Sequence, residues 1–423
     1  MLAWILAASW LPIQAPAPKT SFSPTRYAIG QRMIRMETAW IRASDSRKDL
    51  AVPAVNSAVA QFFMGQLTKA ALGLDSATAV LSDHPVTPQS ALDFRIVPPL
   101  VAPGAPIVVR ATWAYLPDQA APFQVKVNGE TVTATPGTPF EVRLNDATGT
   151  VGDRQIEVKA EGFARPVAYS VVRDWTTRRD RIAKSNSTEA NDLVRLIERS
   201  ESSLVENDVL ANRILGLAES LAQGQSLRSL GELPWGSYEG ALFRAEWPTP
   251  LPPTPVVVIA LHGAGGSENL FFDGYGQGLA PRLAKERGWI FIAPRSAPSS
   301  VDLMTKWVTS RLGVTPRAIF TLGHSMGGAM ALRTSTPPLG SVLFAPAASS
   351  IPEPLRGVPT LLSVGTSEVP FLVKSANQCR EQLTSPLSRL VIKPHCDHLM
   401  VVAEVLPEAF AFLDQVLRES GRD

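Results

Sequence analysis

The chain has 423 residues, 45% of them hydrophobic, which is enough for two or three units that each bury a core. Its 40 basic and 38 acidic residues nearly cancel to +2, and no run of Lys and Arg is interleaved with aromatics, which argues against a nucleic-acid partner. Two cysteines, Cys379 and Cys396, are too few for a disulfide framework. In an exported chain they could pair and tie the loop after the last strand to the preceding helix; otherwise they are separate buried thiols.

Leu2 to Gln14 is an uncharged apolar run followed by the Ala- and Pro-rich stretch Ala15–Pro18. Residues 1–18 therefore read as a signal peptide or apolar N-terminal segment, implying a secreted or periplasmic protein with no stable membrane span once the signal is removed. An N-terminal anchor is the other reading. Over residues 19–92, apolar residues recur at helical spacing, as in Ile29, Met33, Met36 and Trp40 and again in Val59, Phe62, Phe63 and Leu67, which predicts two or three helices.

The period then changes. Ile107–Trp113, Phe123–Val127, Phe140–Leu144 and Ile156–Ala160 alternate in polarity and are separated by turns such as Asn128-Gly129 and Pro136-Gly137, so residues 93–173 read as an antiparallel β-sandwich of immunoglobulin-like size. It could bind carbohydrate, protein or the parent domain, or act as a spacer. Over residues 174–230 a second helical stretch, with Leu193, Leu196, Ile197, Leu204, Leu210, Ile214 and Leu217, presents an apolar face expected to pack with the first.

Prolines 248, 250, 252, 253 and 255 punctuate the approach to the last region, residues 231–423. There the apolar runs Val256–Leu261, Ile290–Ala293, Ala318–Leu322, Ser341–Phe344, Thr360–Val364 and Leu387–Ile392 alternate with helical segments. That order predicts an α/β architecture with a mostly parallel sheet covered on both faces.

Gly323-His324-Ser325-Met326-Gly327 fits G-x-S-x-G between a strand and a helical run, the context in which a serine stands exposed on a tight elbow as nucleophile. His262-Gly263-Ala264-Gly265-Gly266 closes the first strand of this region, and the backbone N–H groups of Ala264 and Met326 are the candidate oxyanion donors, with His262 shaping the loop. A base must be one of five histidines. His84 lies in the helical region, His262 in the oxyanion loop and His324 beside the nucleophile, which leaves His398, preferred, and His395. Between Met326 and Cys396 there is no aspartate and only three glutamates. Glu368 stands at the carboxyl end of a strand and is the candidate acid; Glu381 falls within a helix and Glu353 in a Pro-flanked loop.

In order and spacing, Leu261–Gly266, Gly323–Gly328, Gly365–Glu368 and His398 resemble the α/β-hydrolase superfamily. The short connection between Ala345 and Val358, where other members insert a lid, looks like that of small serine esterases and of feruloyl-esterase or polyester-depolymerase-like hydrolases. The resemblance implies hydrolysis of a small-molecule or polymeric carboxylic ester through an acyl-enzyme, with a Ser-His-Glu triad and neither metal nor organic cofactor. A serine peptidase of the same fold and a non-catalytic binding protein are the alternatives.

Overall fold

A computed structural model describes residues 24–117, 121–145, 149–161, 163–201 and 208–422. The expected signal segment lies outside the described residues. Three helices open the described chain: α1 (Arg26–Arg42), capped by the Thr25 side chain, α2 (Asp45–Phe63) and α3 (Leu67–Ser82). Arg32 of α1 is fully buried, donating to Asp75 of α3 and pairing with Asp93, while Tyr115 donates to the same Asp75. This buried network ties the helices to the strands that follow.

Those strands are β1 (Leu92–Ile96), β2 (Leu100–Val101), β3 (Ile107–Trp113), β4 (Phe123–Val127), β5 (Glu130–Ala134), β6 (Phe140–Leu144), β7 (Gly152–Ala160) and β8 (Phe163–Val171). They form two sheets, in the orders β1-β3-β6 and β2-β8-β7-β4-β5. Phe94 meets Phe163, and Trp113 meets Phe123, from one sheet to the other. The Asn128-Gly129 turn joins β4 to β5 with both residues at positive φ, as a two-residue hairpin requires.

After α4 (Trp175–Ala183), α5 (Thr188–Glu198) and α6 (Ala211–Ala222) comes the large sheet. Its strands are β9 (Glu232–Tyr238), β10 (Ala241–Glu246), β11 (Val256–Leu261), β12 (Ile290–Pro294), β13 (Ala318–His324), β14 (Gly340–Phe344), β15 (Thr360–Gly365) and β16 (Arg389–Lys393). The order is β16-β15-β14-β13-β11-β12-β10-β9; β11 to β16 run parallel, and β9 and β10 add an antiparallel edge that the apolar runs did not announce. The covering helices are α7 (Leu270–Asp273), α8 (Tyr275–Glu286), α9 (Ser300–Arg311), α10 (Met326–Ala331), α11 (Pro370–Gln382) and α12 (Met400–Glu419).

Alternation along β11 separates the two faces: Val256, Val258 and Ala260 belong to one core, and Val257, Ile259 and Leu261 to the other. The first core contains residues of α1 to α3, α8 and α12; the second contains residues of α4, α5, α6 and α9. The two helical stretches therefore do not share a core, contrary to expectation, because each finds a different face of the large sheet to cover. Cys379 and Cys396 are both free and buried, and burial pushes their thiols up to about 11 and about 12. No helix among the described residues is long and apolar enough to cross a membrane.

Candidate active site

β13 runs into the sheet's carboxyl edge and ends at His324. Ser325 follows at φ 52°, ψ −116°, and α10 starts at once with Met326. A positive φ is strained for serine and persists only where the surroundings enforce it. They do so here: Ser325 N–H donates to Phe344 O at 2.9 Å, and Ala347 N–H donates to Ser325 O at 2.9 Å. Gly327 is obligatory, since a Cβ there would lie 2.0 Å from Leu261 O. The elbow can form only if α10 presses directly on the end of β11. Met326, as the first helical residue, has an amide without an intrahelical acceptor.

The loop after β11 places Gly263 and Ala264 on the same cavity as Ser325. Its shape is held by His262, whose Nε2 accepts from Ser296 N–H at 3.0 Å; Nδ1 therefore carries the proton and donates to Gly263 O at 2.7 Å. Burial lowers the His262 pKa, consistent with a neutral ring engaged on both sides.

His398 follows β16 and lines that cavity. Its Nδ1 lies 2.8 Å from Glu368 Oε2, and the Glu368 side chain is wholly buried. The other carboxylate oxygen, Oε1, accepts from Val369 N–H at 2.8 Å, which fixes the acid. With Nδ1–H donated to Glu368, the Nε2 lone pair of His398 is left available. The loops after β15 and β16 are laced together: Thr366 N–H donates to Lys393 O, and Ser367 N–H to Cys396 O, each at 2.9 Å. Asp397, next to His398 in sequence, makes no bond to it; its Oδ1 accepts from Leu399 and Met400 N–H and starts α12, while burial pushes its carboxyl up to about 6.

The remaining candidates lie elsewhere. His395 turns to α2, where its Nδ1 is 2.7 Å from Asp49 Oδ1. His84 is exposed just after α3, Glu353 is exposed in a short turn, and Glu381 is exposed on α11.

His324 is fully enclosed and its pKa falls well below the ordinary value, through burial first and the neighbouring His398 second. Its Nε2 donates to the His398 carbonyl at 2.9 Å, so Nδ1 must accept, and Tyr275 O–H is the donor at 2.5 Å. Tyr275 opens a left-handed turn: it, Gly276, Gln277 and Gly278 all have positive φ. Glu37 of α1 seals that turn, Oε1 accepting from Tyr275 N–H at 3.0 Å and Oε2 from Gly276 N–H at 3.1 Å. A continuous path of contacts thus runs from α1 through Tyr275 and His324 to the backbone of His398. Sequence reading did not single out Tyr275 or Glu37; the tract Gly274-Tyr275-Gly276-Gln277-Gly278 is the signal that could have flagged the turn.

No protein-family model matches the chain, and no curated protein does. Among solved structures, it is similar to Est1E from Butyrivibrio proteoclasticus, at 14% identity over 44% of this chain and 99% of that one, with a TM-score of 0.34. It is also similar to XC6422 from Xanthomonas campestris, a serine hydrolase without lid, at 18% identity over 42% of this chain and 88% of that one, with a TM-score of 0.32. A third is Thermogutta terrifontis esterase 2, at 17% identity over 46% of this chain and 96% of that one, with a TM-score of 0.34.

Proposed function

We propose that the chain is a serine hydrolase that cleaves carboxylic esters through an acyl-enzyme. The observation that carries the reading is the strained Ser325 on one cavity with His398, whose Nδ1 is bound to the buried Glu368 at 2.8 Å. Ser325 Oγ attacks the ester carbonyl while His398 Nε2 takes its proton. Glu368 holds the ring in that tautomer and stabilises the imidazolium that forms. The oxyanion is received by the amides of Ala264 and Met326, and the alcohol leaves with the proton from His398. Water then attacks the acyl-enzyme with His398 as base, regenerating Ser325 and releasing the acid.

An ester suits the cavity better than a peptide terminus does. Arg26 and Asp273 are charged residues at its wall, and both are engaged: Arg26 donates to Gly265 O, and Asp273 accepts from Arg244 at 2.5 Å. The test is hydrolysis of p-nitrophenyl acetate and butyrate by the parent, Ser325→Ala and Glu368→Gln. The parent is expected to turn over, Ser325→Ala to lose at least about 10³-fold, and Glu368→Gln to lose less, because the nucleophile and its base both remain. Equal rates in parent and Ser325→Ala, or none in either, overturn the assignment.

A further inference from the structure

The cavity at Ser325 is only half made by the α/β layer that carries the serine. Its opposite wall comes from α1 and α2, with Ile29 and Met33 from the first and Val59 and Phe62 from the second facing Leu270 and Leu399. These six side chains are apolar. The wall is fixed at several points rather than resting loosely against the site. Arg26 donates to Gly265 O, Asn56 Nδ2 donates to Ser367 O at 3.3 Å beside Glu368, and Glu37 accepts the amides of the turn that holds Tyr275. The Phe62 ring fits so closely against the oxyanion loop that a Cβ on Gly265 would lie 2.5 Å from it. Phe63 lines the same space and is 53% exposed, which puts the mouth at the end of α2.

We infer that α1 and α2 form the acyl-binding wall of the site, and that its substrate is an ester whose acyl group is an uncharged apolar chain of about six carbons. This rests on the hydrolase reading above and adds to it the chemical class of the acid. The size follows from the cavity volume of about 140 Å³. An apolar cavity of roughly 150 Å³ accommodates benzene, so on the order of six non-hydrogen atoms fit. The polarity follows from the wall: a charged or hydroxyl-rich acyl group would lose its water against Ile29, Met33, Val59 and Phe62, whose side chains offer it no hydrogen bond. The oxyanion loop lies along the same cavity, so an acyl chain seated there keeps its carbonyl carbon next to Ser325.

Two substitutions test this in opposite directions, with kcat/KM measured on p-nitrophenyl acetate, butyrate, hexanoate, octanoate and laurate. The parent is expected to favour hexanoate over acetate by one to two orders of magnitude, since each of the four added methylenes contributes up to about fourfold, and to decline towards laurate. Val59→Trp fills the wall and should lower the hexanoate-to-acetate ratio about tenfold, whereas Phe62→Ala opens it and should move the optimum to octanoate or laurate. Misfolding cannot shift one ratio down and the other optimum up. A flat profile in a parent that does hydrolyse esters, or a profile unmoved by both substitutions, overturns the acyl wall and leaves the hydrolase reading intact. If no ester is hydrolysed, the wall is read by thermal stabilisation of the parent and Val59→Trp with hexanoate and with acetate. Stabilisation by hexanoate alone, lost in Val59→Trp, retains the wall without the esterase; equal or no response to both acids removes the wall as well.

Discussion

Glu37 offers a sharp test of how the N-terminal helices are joined to the site. Burial raises its carboxyl from an ordinary 4.5 to about 7, even though the amides of Tyr275, Gly276 and Gln277 pull the other way. The native state therefore holds this proton more tightly than the unfolded chain does. Between the two values the folded form binds more protons, so stability falls as pH rises. The contribution is complete below about 4.5 and is gone above about 7, and its full size is about 3 kcal/mol. Glu37→Gln keeps the shape and one acceptor but cannot titrate. The experiment is guanidinium unfolding of parent and variant at about pH 5 and about pH 8, with the difference between the two proteins compared across pH. That difference should be 2 to 3 kcal/mol more in the parent's favour at about pH 5 than at about pH 8. Asp397, raised in the same sense by burial, tilts both proteins alike and cancels. A difference that stays constant with pH would show that Glu37 is not the buried, proton-holding contact described here.

Arg32→Met removes the cation that Asp75 and Asp93 share and leaves them only Arg35, at 3.1 Å from Asp75, and Arg165, at 3.7 Å from Asp93, and should lower the unfolding free energy by about 3 kcal/mol; an unchanged denaturant midpoint would refute the network. Tyr275→Phe removes the donor to His324 Nδ1 and should loosen the backbone of His398. The expected result is a kcat on p-nitrophenyl butyrate about tenfold lower with KM nearly unchanged, and a matching fall in KM-limited binding instead would assign Tyr275 to the pocket wall.

What the sequence disclosed follows from where information is local. Val256–Leu261 is a continuous apolar run because both of its faces are covered, so its strand was legible to the residue. The strand Glu232–Tyr238 was not, since Pro234 and Gly236 read as loop and only pairing with Ala241–Glu246 makes it a strand. At the site, Ser325 is marked by the glycines that its elbow demands. Glu368 could be narrowed by elimination, because so few carboxylates follow the serine. His398 was preferred to His395 for its place just before the helical run 401–417, but what engages His395 was not legible: Asp49, which lies on α2, is 2.7 Å from its Nδ1. Glu37 was invisible for the same reason, its partners being about 239 residues further along the chain.

That distance bears on how a site with so short a connection between Ala345 and Val358 comes to have a covering wall at all. A local insertion is the usual source of such a wall, yet loop-closure entropy rises only with the logarithm of length. Closing about 239 residues instead of about ten costs roughly 3 kcal/mol more. Met36 and Trp40, both fully buried on α1, are sufficient to offset this, at roughly 1.5–3 kcal/mol for a side chain of the size of methionine. Distance along the chain is therefore no obstacle to α1 and α2 serving as part of the site, provided their docking is specific. Specificity comes from the polar contacts: Trp40 Nε1 and Lys48 Nζ both donate to Glu404 of α12, at 2.9 and 2.8 Å, while Glu37 grips the turn at Tyr275. A wall that was merely apolar could slide along α8 and α12. One pinned at Glu404, Tyr275, Gly265 and Ser367 has a single position, and the cavity it encloses has a single shape for an acyl chain to match.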